Sequence, residues 1–164
     1  MRHRSVRIRA FLCAATVAFS VPVFANPQCK PVVGSFEAHV VTPAEGCQSE
    51  VGLCTAGRVW GGLQGTYAFT MTSALPNGEP TAPTVLFFTG HSVVTLKSDD
   101  VVLGTDTGSI DLPPGQGGFA SLITFHSGGS GATANATGQI RLRGDFDSVA
   151  GTTVGDYLGT ICTP

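Results

Sequence analysis

The chain has 164 residues, 12% of them charged and 42% apolar, with a formal net charge of −2. This length encloses one core, and Gly plus Pro, about a fifth of the chain, stays below the share that marks low-complexity sequence. No apolar run is as long as the roughly 18 residues a membrane-spanning helix needs, and no Lys/Arg cluster beyond the first ten residues offers nucleic acid a basic face.

Residues 1–25 read as a secretory signal. Arg2, Arg4, Arg7 and Arg9 form a positive start, Phe11 to Phe24 is a short apolar stretch, and Val23-Phe24-Ala25 places small residues where a signal peptidase needs them. Cleavage is expected between Ala25 and Asn26, leaving residues 26–164 as a single domain. Four of the nine basic residues leave with the signal and no acidic one does. Five Lys/Arg then face eleven Asp/Glu, a net charge of −6 that argues further against polyanionic partners. The expected location is outside the cytoplasm, secreted or periplasmic.

Cys29, Cys47, Cys54 and Cys162 remain, an even count that points to disulfides in an exported chain. Of the three connectivities, Cys47–Cys54 with Cys29–Cys162 is favoured. The first closes a small loop, and the second ties the entry of the first strand to the end of the last. A closed loop of that length is worth roughly 4 kcal/mol in the chain-entropy picture. A zinc site would need CxxC spacing or a His pair, and neither accompanies Cys47 and Cys54. No metal and no cofactor is expected.

The rest alternates with period two between Gly, Pro, Asn and Asp punctuation, which is an all-β pattern. Ser35 to Thr42 sets Phe36, Ala38 and Val40 on one face and Glu37, His39 and Val41 on the other. Thr66 to Ser73 sets Tyr67, Phe69 and Met71 together. Pro76-Asn77-Gly78 opens a long loop reaching Pro83. Thr84 to Thr89 is apolar on both faces, so a loop or a second subunit is expected over its outer side, and with it a homo-oligomer. Ser92 to Lys97 continues or follows it. Asp99-Asp100 turns the chain. Val101 to Leu103 and Gly108 to Leu112 are two short strands or one strand with a Gly break. Pro113-Pro114-Gly115 ends them. Phe119 to His126, Gly138 to Phe146 and Thr153 to Cys162 complete the series.

Seven to nine strands in this length close as a sandwich or a barrel. The Cys29–Cys162 bridge, the short connections and the glycines recurring inside strands favour an antiparallel barrel. Phe36, Tyr67, Phe69, Met71, Phe119, Ile123 and Phe125 are the candidate lining of its interior, either as a filled core or as the wall of a cavity for a small apolar molecule. Among ionisable groups, Glu37 and His39 fall on the face away from Phe36, and so in solvent. Asp99, Asp100, Asp106 and Asp111 read as solvated turn carboxylates, since calcium-loop spacing is missing. Asp156, on the side of Val154 and Leu158, is the one ionisable group assigned inward. GxSxG is absent, so no nucleophile elbow is expected, and no catalytic residue is assigned. Trp60 is expected in the core or at a rim.

Gly128-Gly129-Ser130-Gly131, followed after six residues by Gly138-Gln139-Ile140-Arg141-Leu142, resembles the "GGSG … GQ-aliphatic-x-Leu" stretch of allene oxide cyclases and, more loosely, the glycine-rich strand pair of dirigent proteins. Tyr157-Leu158-Gly159 is similar to the closing strand of the cyclases. Gly62-Leu63-Gln64-Gly65-Thr66-Tyr67 resembles the "GxLxGxY" style of bacterial secreted relatives. The resemblance covers about 35 C-terminal residues well. It implies an eight-stranded antiparallel barrel, and it transfers no catalytic residue. Function is expected to be small-molecule binding or scaffolding. The alternatives are an isomerase or cyclase acting inside the barrel and an envelope protein without a pocket.

Overall fold

The computed structural model describes residues 27–164; the signal reading of residues 1–25, with its cleavage site, lies outside them. Eight strands follow in order: β1 Gln28–Val40, β2 Cys54–Gly61, β3 Gly65–Pro76, β4 Val85–Leu96, β5 Val101–Asp111, β6 Gln116–His126, β7 Thr137–Asp147 and β8 Thr152–Thr163. Each pairs antiparallel with the next, and β1 pairs with β8 from Gln28–Thr163 to His39–Thr152, so the sheet closes into an up-and-down barrel. Closure leaves no strand edge exposed.

The two disulfides join Cys29 to Cys162 and Cys47 to Cys54. Cys29 and Cys162 stand directly opposite each other on the pair that closes the barrel. Two intrachain disulfides fit an oxidising compartment.

Burial follows a period of two along the strands, interrupted on β3 by a register shift between Met71 and Ser73. On β3 Tyr67, Phe69 and Met71 are buried between exposed Thr66, Ala68 and Thr72. On β7 Ile140, Leu142 and Phe146 point inward, while Arg141, Arg143 and Asp145 face water. An apolar interior inside a wall bearing Glu37, Arg58, Arg141, Arg143 and Asp145 is the inverse of a membrane barrel, whose apolar band faces lipid. No helix among the described residues is long and apolar enough to cross a membrane.

Several sequence expectations need correction. β2 was not foreseen. Its inward positions are Thr55, Gly57 and Val59, and one large apolar side chain makes no visible stripe. Where the sequence left one strand or two open, the continuous alternative holds: Val85–Leu96 is one strand through Gly90, and Val101–Asp111 is one strand through Gly104 and Gly108. Those glycines are inward positions where a Cβ has no room. At Gly104 it would meet the Ile123 side chain, and at Gly108 the Ala120 carbonyl. Glycine there serves packing and leaves the strand unbroken. Along Val85–Phe88, Phe88 is buried and Phe87 is 55% exposed, so alternation holds, with an apolar residue on the wet side too. Trp60, expected in the core or at a rim, is 40% exposed on the outer face one residue before the end of β2.

Candidate functional site

The two ends of the barrel are built differently. At one end stand the 62–64, 97–100 and 127–136 connections; at the other, called the mouth below, stand 41–53, 77–84, 112–115 and 148–151.

The first end is plugged. Leu63 folds inward from its short loop and is buried. The Tyr157 hydroxyl, inside the barrel, accepts a hydrogen bond from the Leu63 amide at 2.7 Å and donates to the Trp60 carbonyl at 2.8 Å. The glycine-rich 127–136 segment lies over the same end. Thr133 donates to the Val101 carbonyl at 2.9 Å, the Val101 amide donates to Ser130 Oγ at 3.1 Å, and Ala136 is fully buried. Gly138, where this segment enters β7, has φ 118° and sits against the Thr160 carbonyl, a backbone that suits glycine alone. Beneath the plug, Val59, Val94, Ile123, Ile140 and Leu142 leave only about 10 Å³ free.

The mouth half is looser. A cavity of about 40 Å³ opens there, enough for roughly three waters. Its wall is mainly aromatic. Phe36 lies 5.8 Å from Tyr67 and 6.0 Å from Phe119 between ring centres, and Phe69 lies 5.5 Å from Phe88. Leu53 reaches over it from the 41–53 loop. That loop is fastened by Cys47–Cys54 and by Ser49, whose hydroxyl donates to the Met71 carbonyl at 2.6 Å and accepts from the Leu53 amide at 3.2 Å.

One carboxyl faces this cavity. Asp106, midway along β5, is 2% exposed. Ser92 donates to its Oδ2 at 3.2 Å, and the Tyr67 hydroxyl lies 3.3 Å from the same Ser92 oxygen. Oδ1 is buried without a hydrogen bond of good geometry, although the Ser121 hydroxyl stands near the carboxyl. Burial lifts the Asp106 carboxyl above the usual carboxylate range, and the Ser121 and Ser92 hydroxyls and the Thr107 amide pull it back only in part. Burial, and then the neighbouring Asp106, push the Tyr67 phenol up, so it stays a neutral hydroxyl. The site therefore presents one carboxyl oxygen with free hydrogen-bonding capacity, in a wall otherwise of rings, methyls and hydroxyls.

Of the side chains assigned to the interior from sequence, Phe36, Tyr67, Phe69, Met71 and Phe119 meet around this cavity. Ile123 and Phe125 do not; both are buried toward the plugged end. Glu37 and His39 are exposed, as their alternation required.

Two carboxylate assignments are overturned. Asp156 is exposed beside Val154 and Leu158, which are 52% and 57% exposed. β8 turns Thr153, Gly155 and Tyr157 inward instead, so the aliphatic side of this strand is the wet one. Asp106 is no turn carboxylate but the buried group of the site. The signal for it was available: Val102, Gly104, Asp106, Gly108 and Ile110 fall on one face once the glycines are counted as strand residues. No group of three or more His, Cys, Asp or Glu among the described residues is arranged to hold a metal.

No protein family, curated protein or solved structure matches the chain.

Proposed function

We propose that this protein is an exported barrel that binds a small, largely apolar molecule in the mouth cavity, anchored by one polar group on Asp106. The unpartnered Oδ1 of Asp106 carries this reading. A buried oxygen without a partner is costly unless something completes it, and this one faces the open half of the barrel. An aromatic wall with a single polar contact is the usual make-up of a small-molecule site. Kinship with the allene oxide cyclase and dirigent barrels belongs to the same proposal. It is supported by the eight-stranded closure and by the glycine-rich 128–142 stretch. Export is supported by residues 1–25 and by the two disulfides.

A second reading, an isomerase or cyclase, draws on the same carboxyl, since burial makes the acid hold its proton more tightly than a solvated one and suits it to donate that proton to a bound substrate. Association of copies through the exposed Leu75 and Phe87, adjacent on β3 and β4, is also proposed; a monomer mass by light scattering at micromolar protein would remove it.

Binding is tested by titrating the mature protein with isopropanol and following methyl resonances. A saturable shift at Met71, with none at Leu63, is expected, and Ser121→Leu, which fills the space beside Asp106, removes it. Absence of any saturable shift at Met71 would overturn the binding reading.

A further inference from the structure

The kind of polar group that Asp106 receives can be narrowed. Asp106 accepts at Oδ1 when ionised and can donate there when protonated, so its surroundings decide which group it takes. The rings of Phe36, Tyr67, Phe69, Phe88, Phe119 and Phe146 surround the same space. Ring faces attract cations and contribute nothing comparable to an anion. The entrance loops carry acidic side chains, with His39 beside Glu45 at the end of β1. The mouth loops hold Glu45, Glu50 and Glu79, with Asp111 and Asp147 at the adjoining strand ends, and no Lys or Arg stands in any of these loops. Lys30 and Lys97 lie at the plugged end, and Arg58, Arg141 and Arg143 lie on the outer wall. Glu45 is kept ionised by the Thr42 amide and hydroxyl, each 2.8 Å from its Oε2.

Resting on the binding reading above, we infer that the ligand is a small organic ammonium ion. It enters past the acidic mouth, places its N–H group on Asp106 Oδ1 and its carbon body against the aromatic wall. The cavity volume limits the compact part to a few heavy atoms. No multidentate carboxylate or imidazole set among the described residues offers a metal ion the coordination it needs. Of the residues around the cavity, only Tyr67 and Asp106 titrate, and Tyr67 stays neutral. Arrival of the ammonium ion therefore favours the ionised Asp106 and draws its pKa down.

The test compares isopropylammonium with isopropanol, its neutral isostere, by the Met71 methyl shift at low ionic strength, in the native protein and in Asp106→Asn. The ammonium ion is expected to bind at least tenfold more tightly than the alcohol in the native protein and no better than the alcohol in Asp106→Asn. A second readout needs no variant: in the native protein isopropylammonium affinity rises with pH as Asp106 ionises, and isopropanol affinity shows no such rise. Equal affinities for the two ligands, or an ammonium preference that survives Asp106→Asn, would overturn the ammonium assignment and leave the cavity reading standing. Failure of both ligands to shift Met71 would overturn both.

Discussion

The plugged end and the mouth are made from the same strands, yet they use buried polar atoms in opposite ways. At the plugged end the Tyr157 hydroxyl is satisfied twice over, by the Leu63 amide and the Trp60 carbonyl, and the space around it is filled. At the mouth Asp106 keeps one oxygen unpaired beside open volume. Stability is concentrated where hydrogen bonds are complete and packing is dense. The capacity to bind is kept where both are left short. A buried polar group thus stabilises or recruits according to what its neighbours leave undone.

Removing the Cys29–Cys162 bridge should give the largest difference between the ends. Its cysteines are separated by 133 positions and those of Cys47–Cys54 by 7. In the chain-entropy picture, replacing the first pair with Ala costs about 4 to 5 kcal/mol and the second about 2 to 3 kcal/mol. Denaturant melts of the two double variants check the order; a mouth variant that is the less stable of the two would break the contrast.

Packing sharpens the same contrast at smaller scale. Leu63→Ala removes a buried plug whose surroundings are held by Tyr157, and a loss of about 3 kcal/mol is expected. Leu53→Ala, at a half-buried side chain beside existing space, should cost about 1 kcal/mol. Equal losses, read from urea midpoints at unchanged slope, would mean that the mouth is packed as firmly as the plug.

The smallest effect is a pH dependence. The folded pKa of Asp106 lies above its unfolded value, so its contribution to stability is full below the ordinary carboxylate range and is lost as pH rises through the folded pKa. Asn cannot ionise, so Asp106→Asn should gain on the native protein as pH rises from acid toward neutrality. Thermal midpoints of both proteins across that window test it, and a constant offset would show that Asp106 is not held protonated.

Much of the fold was legible from local pattern. Alternation over Phe36–Val40 and Tyr67–Met71 indicated the inner faces, and the cysteine positions indicated how the ends meet. The failures share one physical cause. Face assignment from sequence relies on large apolar side chains, and inside a narrow barrel many inward positions must be small. Thr55 and Gly57 hid β2, Gly104 and Gly108 left β5 open between one strand and two and sent Asp106 to a turn, and Gly155 and Gly159 let Val154 and Leu158 be mistaken for core on β8.

The sequence by itself determined an all-β chain with paired cysteines, a set of aromatic interior residues and a net acidic character, because period-two alternation, cysteine count and charge are properties of neighbouring residues. Only the tertiary structure decided which carboxylate is buried, which end of the barrel is stopped and where free space remains. Those depend on residues from strands far apart in the chain meeting across a closed interior, where the lack of a Cβ on one strand makes room for a side chain from another.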